Sequence, residues 1–209
     1  MAKMRGPKCR LCRREGIRLF LKGTRCDGPK CALSRREYPP GPRSWRKPKM
    51  QDYGRQLREK QKLKRFYGIL ERQFRRYFEQ ATRTKGNTAK ALLLALEQRL
   101  DNVVTLGGFS ASRAEARQMV AHGHFLVNGR RAAVASHGLS PGDEISVRVR
   151  DGVKKRIQER ADGLKDRPVP GWISVDRAGL KIKVLTVPTR DDVQVPELKE
   201  QLIIEFCSK

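Results

Sequence analysis

The chain has 209 residues and carries 47 Lys and Arg against 22 Asp and Glu, a net charge of +25. With 33% charged residues and 28 basic against 7 acidic before residue 91, it excludes an ordinary neutral metabolic enzyme and calls for a polyanionic partner. The longest apolar run, Ala91 to Leu96, is too short to cross a bilayer, and the basic start at Met1 to Cys12 lacks a signal-peptide core; both point to a cytoplasmic protein.

The first element in chain order is a cysteine cluster. Cys9 and Cys12 form C-x-x-C, and Cys26 and Cys31 follow in CDGPKC. Two close pairs across a short loop let four thiolates converge on one structural Zn2+, whose closed shell leaves no position for water. Such a site supplies order that this core-poor segment cannot obtain by burial. An iron–sulfur centre and unligated thiols are the alternatives. Lys3, Arg5, Arg13, Arg14, Arg35 and Arg36 crowd the cluster, so the segment reads as a phosphate-binding zinc module over residues 1–45. Tyr38 to Lys49, proline-rich and basic with Arg43 inside it, reads as an extended linker that follows phosphates, or as a plain spacer.

From Gly54 to Gly86 the pattern becomes helical. Leu63, Phe66, Tyr67 and Leu70 fall at i, i+3, i+4 and i+7, and Phe74, Tyr77 and Phe78 continue the stripe as core. The other face carries Arg55, Arg58, Lys60, Lys62, Lys64, Arg65, Arg72, Arg75 and Arg76 and reads as a phosphate-contacting surface. A further helix bears Leu92, Leu93, Leu96 and Leu100, with Asn87 or Thr88 as its cap. Ser112 and Glu115 then make an S-x-x-E capping box, and Gly123 suits a left-handed helix end. Asn128-Gly129 predicts a tight hairpin that fixes His124 and Arg130 relative to Arg113 and Arg117, and SPGDEISVRV supplies another turn and strand. The segments WISVDRAGLKIKVLTV and QLIIEFCSK read as alternating strands, with Cys207 a structural thiol.

The phrases RLDNVV, SRAEARQMV, HGHFLVNGR and SPGDEISV resemble the small RNA-binding domain named after the fourth protein of the small ribosomal subunit. CRLCRREG, YPPG, LREKQKLKRFYGILERQFRRYF and LIIEFCSK are similar to that ribosomal protein family in its four-cysteine bacterial form, across essentially the whole chain. The resemblance implies an α+β fold in which a small RNA-binding domain, helix-turn-helix plus antiparallel β-sheet, is inserted at 96–177 with its core motif at 97–150. It implies a helical domain at 46–95 completed by 178–209. It further implies a non-enzymatic, primary assembly protein that holds a multi-helix ribosomal RNA junction, adjoins the fifth small-subunit protein and contributes to translational accuracy. The RNA-facing residues carried over are Arg99, Ser112, Arg113, Arg117, His122, Gly123, His124, Asn128 and Gly129, with Asp101 orienting an arginine. His122 and His124, two apart across a glycine helix end, are expected to point apart and to bond RNA or backbone rather than metal.

Two other classes are weighed beside this one. An RNA-modifying enzyme lacks room and ligands for a catalytic domain after SVRVR, and the H-x-E of a zinc deaminase is missing. A zinc regulator of translation or transcription remains the alternative, although no base-reading helix or dimer heptad is visible.

Overall fold

The computed structural model describes residues 6–42, 51–148, 151–165 and 167–208. Lys3, Arg5, Arg43 and most of the proline-rich linker lie outside them. The chain forms two compact units, one of residues 93–193 and one of residues 2–92 with 194–209.

The unit at 93–193 begins within helix α5 (Thr88–Glu97) and continues through α6 (Leu100–Leu106) and α7 (Arg113–Ala121). The capping box forms as expected: the Glu115 amide donates to Ser112 Oγ at 3.3 Å, while Glu115 Oε2 accepts from the Ala111 amide at 2.8 Å. Gly123 closes the helix at φ 73°, left-handed and therefore costly for a residue with a Cβ. Strands β1 (Phe125–Val127) and β2 (Arg130–Ala132) then pair antiparallel about Asn128 (φ 50°) and Gly129 (φ 76°), two positive φ values in succession as a type I′ turn requires. After β3 (Glu144–Val147) come helix α8 (Asp151–Gly163), β4 (Ile173–Asp176) and β5 (Lys181–Val184). The five-stranded sheet has the order β2-β1-β3-β5-β4, all neighbours antiparallel.

One sheet face and the helices share a core of Leu100, Val103, Val104, Phe109, Ala116, Val120, Phe125, Ile145, Ile157, Ala161, Trp172 and Ile182. Inward residues alternate along the strands, as burial of a single face dictates. Gly107 lies against this core so closely that an added Cβ would stand 2.4 Å from Ile182 Cδ1 and 3.0 Å from Cγ1. Gly107→Ala is therefore expected to cost about 1–3 kcal/mol by overpacking. Urea unfolding checks this, and an unchanged midpoint would mean that Ile182 moves aside freely.

The other unit holds α1 (Lys8–Glu15), a 3-10 turn at Gly23–Cys26, α2 (Ala32–Arg35), α3 (Asp52–Phe66), α4 (Glu71–Arg83) and α9 (Glu200–Ser208). The expected helical run at 54–86 is broken into two helices at Gly68, which sits at φ 64°, and Leu70 becomes the N-cap residue of α4. Leu63, Phe66, Tyr67 and Phe74 are buried as expected, while Tyr77 and Phe78 are half-buried.

Two expectations are corrected. QLIIEFCSK forms helix α9 and not a strand, so Cys207 is helical: Ile203, Phe206 and Cys207 fall at i, i+3 and i+4, and this face meets α3. Tyr53 and Phe206 pack with ring centroids 5.4 Å apart, and Gln56 donates to Glu205 at 3.0 Å. The return to the helical unit falls at residue 194, not 178, because β5 at 181–184 is taken up between β3 and β4 in the sheet.

Candidate nucleic-acid interface and cysteine cluster

Cys9 and Cys12 lie one turn apart on α1, which Gly16 ends in the left-handed region at φ 73°. Cys26 closes the 3-10 turn, and Cys31 is the N-cap residue of α2. All four are free thiols and line one small cavity of about 20 Å³ together with Leu21, Lys22 and Leu33. Backbone amides point at the sulfurs: Lys22 N–H donates to Cys26 Sγ at 3.4 Å. Burial pushes the Cys12 and Cys26 thiols up, each with its neighbouring sulfurs adding to the rise and a backbone amide opposing it. At Cys31 burial also raises the thiol, but the Leu33 and Ser34 amides and Arg18 outweigh it, leaving the thiol below its ordinary value. Among the described residues no group of three or more His, Cys, Asp or Glu side chains is arranged to hold a metal ion as it stands. The donor set itself, four sulfurs around one cavity with amides directed at them, fits a soft or borderline divalent ion.

Arg13 and Arg14, in the last turn of α1, reach across to the Tyr38, Pro39 and Pro40 carbonyls, and the Arg13 guanidinium also stacks on the Tyr38 ring at 4.8 Å. Arg35 and Arg36 are exposed at the end of α2.

Helix α3 departs from its expected role. Glu15, with a side chain only 1% exposed, accepts from Arg58 at 3.3 Å and from Arg65. Lys62, a residue only 6% exposed, donates to Glu59 at 2.7 Å and to the Glu197 carbonyl at 2.9 Å. Lys60 and Lys64 both donate to Glu71, at 2.5 and 2.9 Å. Arg58, Lys62 and Arg65, expected as phosphate contacts, are thus engaged in ion pairs within the unit, and Arg55, Arg72, Arg75 and Arg76 are exposed cations of this face. Burial pushes the Glu15 carboxyl up and the Arg65 guanidinium down, so desolvation outweighs their mutual attraction and the pair fixes geometry more than it adds stability.

Burial would also raise the Glu71 carboxyl, but its bonds from Lys60 and Lys64 prevail and hold it at about 2, below the ordinary 4.5. A carboxyl depressed on folding contributes stability that is full above its unfolded pKa and is lost as pH falls through its folded one. Glu71→Gln is expected to flatten the acid loss of stability between pH 4.5 and about 2. The half-exposed setting keeps the effect to about 1 kcal/mol or less. Urea midpoints across that range check it, and identical pH profiles would remove Glu71 from the acid response.

In the 93–193 unit, the RLDN segment is a buried polar network. Arg99 is fully buried and donates to Asp101 from Nε at 3.1 Å and from Nη2 at 2.8 Å. Asn102 donates to the Glu97 carboxylate and to its carbonyl at 2.9 Å, and Arg113 Nε donates to Asn102 Oδ1 at 2.7 Å. Arg117 stands 3.9 Å from Asp101. Arg99 is therefore corrected from an RNA contact to a core residue, and Asp101 orients arginines as expected. Asn128 is likewise engaged within the fold, its amide bridging the Asp143 carboxylate at 2.8 Å and the Glu144 amide at 2.9 Å, which ties the hairpin turn to the start of β3. The His122 and His124 rings do not point apart; they meet edge to face with centroids 5.8 Å apart. His122 and Arg130 are exposed, while Arg113, Arg117 and His124 are half-buried at the same helix and its end. Arg131 was not anticipated: its guanidinium lies over Gly123, where a Cβ would come within 2.3 Å of Nε.

Comparison with known proteins bears on both units. Residues 3–97 match the profile "Ribosomal protein S4/S9 N-terminal domain", and residues 98–145 match the "S4 domain". The chain is 52% identical to "Small ribosomal subunit protein uS4" of Trichlorobacter lovleyi, over the full length of both chains. It is 51% identical to uS4A of Symbiobacterium thermophilum and 50% identical to uS4 of Caldicellulosiruptor saccharolyticus, again end to end.

Proposed function

The chain belongs to the uS4 family of small ribosomal subunit proteins, and on that premise we propose that it is a primary assembly protein gripping a multi-helix junction of the small-subunit ribosomal RNA. Its role is structural and RNA-binding, not enzymatic. The observation that carries the reading is half-identity to uS4 proteins across all 209 residues, joined to a +25 charge concentrated before residue 91. Exposed cations of the N-terminal segment and of α4 supply phosphate contacts, while Arg113, Arg117, His122, His124 and Arg130 form the face offered by the S4 domain. Neighbouring small-subunit proteins, including the fifth, share the assembly, where the protein contributes to translational accuracy.

One Zn2+ held by Cys9, Cys12, Cys26 and Cys31 completes the N-terminal segment. Its chemistry would be that of a cross-link joining α1, the 3-10 turn and α2.

The experiment is equilibrium binding of the full chain to a junction fragment of small-subunit ribosomal RNA and to duplex DNA of equal phosphate content. Tight, steeply salt-dependent binding to the RNA and only weak binding to the DNA are expected. Equal affinity for both would favour a general polyanion binder instead.

A further inference from the structure

Outside the cysteine cavity lies a second hollow of about 280 Å³, lined by Arg10, Arg13, Arg25, Lys30, Arg35 and Arg36 and by no Asp or Glu. Its cations come from three stretches of chain: α1, the turn between Gly23 and Cys31, and α2 with its end. Among the described residues, Arg10, Arg25, Lys30, Arg35 and Arg36 make no side-chain hydrogen bond or ion pair. Helix α3 offers the contrast, since there Arg58, Lys60, Lys62, Lys64 and Arg65 each face a carboxylate within the fold. Six like charges around one concavity repel one another, and with no carboxylate in the lining to offset them they favour an anion from outside.

Resting on the ribosomal RNA reading above, we propose that this hollow is a phosphate socket that takes the protruding phosphodiester of a sharply bent RNA strand. A regular duplex presents a convex backbone, which touches the rim of a hollow and leaves its floor empty. A bent strand turns a phosphate outward, where cations on three sides can surround it. Arg13 is already held by the Tyr38 carbonyl at 3.0 Å and by the Tyr38 ring, so part of the socket is ordered before the ligand arrives. A zinc ion with four thiolates carries a charge of −2, which offsets two of the six cations and leaves the socket strongly positive. Arg10, Arg25 and Lys30 thereby gain a role that charge counting along the sequence did not single out.

The test compares the full-length wild type with two triple variants of equal charge change. One carries Arg10→Gln, Arg25→Gln and Lys30→Gln in the socket; the other carries Lys154→Gln, Lys155→Gln and Lys183→Gln, three exposed lysines of the 93–193 unit. Each is titrated against a junction fragment of small-subunit ribosomal RNA and a linear RNA duplex of equal phosphate number, over a range of salt. The socket variant is expected to lower the salt slope on the junction by about two to three. It should also lose at least tenfold of the preference for junction over duplex, which the lysine variant should keep. Equal effects of the two triples, with the wild type still binding the junction, would overturn the socket and leave the ribosomal RNA reading standing. Failure of the wild type to bind the junction would overturn both.

Discussion

Asp101→Ala is expected to destabilise the 93–193 unit by about 3–5 kcal/mol, a large fraction of a domain's whole stability. Asp101 is the carboxylate that receives two guanidinium hydrogen bonds from the fully buried Arg99 and stands within reach of Arg117. Its removal leaves the Arg99 charge enclosed without that carboxylate, and the cost of its desolvation is then far less offset. Replacing both residues, Arg99→Met with Asp101→Leu, should recover most of the loss, because no charge is left stranded. Urea denaturation of the two variants measures the difference; a cost under 1 kcal/mol for Asp101→Ala would mean that water reaches Arg99. The consequence passes to the proposed RNA face, since Asn102 in the next position accepts from Arg113 and so sets where that arginine stands.

Removing the proposed zinc is expected to have the larger effect on the N-terminal segment. Between residues 6 and 42 the buried apolar side chains are Leu19 and three of the cysteines themselves, too few to order the segment by burial. Structural zinc sites supply roughly 10–16 kcal/mol of apparent binding energy at neutral pH, which here would become folding energy. Protein expressed with zinc should contain about one ion per chain. A strong chelator should abolish hydrogen-exchange protection over 8–36 and leave the sheet of the other unit protected. Metal-free protein from zinc-replete cells, with unchanged exchange on chelator addition, would remove the cofactor from the account.

The features legible in the sequence are those that short-range chemistry decides. Ser112 and Glu115 announce a capped helix because their partners lie within four residues, and Asn128-Gly129 announces its turn because few dipeptides tolerate two positive φ values. The sequence of α9 is ambiguous because Ile203, Phe206 and Cys207 satisfy a helical interval while Ile204, Phe206 and their neighbours also alternate; the packing against α3 decides between them. The ion pairs of α3 were hidden for a different reason. Arg58 and Arg65 find Glu15 across 43 and 50 residues, and Lys62 finds the Glu197 carbonyl across 135, distances over which a single sequence carries no pairing signal. A stripe of lysines and arginines looks the same whether it faces phosphate or buried carboxylates. The same limit explains Arg99: the resemblance carries it over as RNA-facing, and only the fold shows that the arginine of RLD is turned inward onto Asp101.

The central claim is that this chain is a structural component of the small ribosomal subunit. Sucrose-gradient sedimentation of a lysate containing the full-length tagged chain tests it most directly, with ribosomal subunits separated at low magnesium. The account predicts that the chain travels with the small-subunit peak and stays there through a moderate-salt wash. Recovery of the chain at the top of the gradient, or with the large subunit, would contradict it.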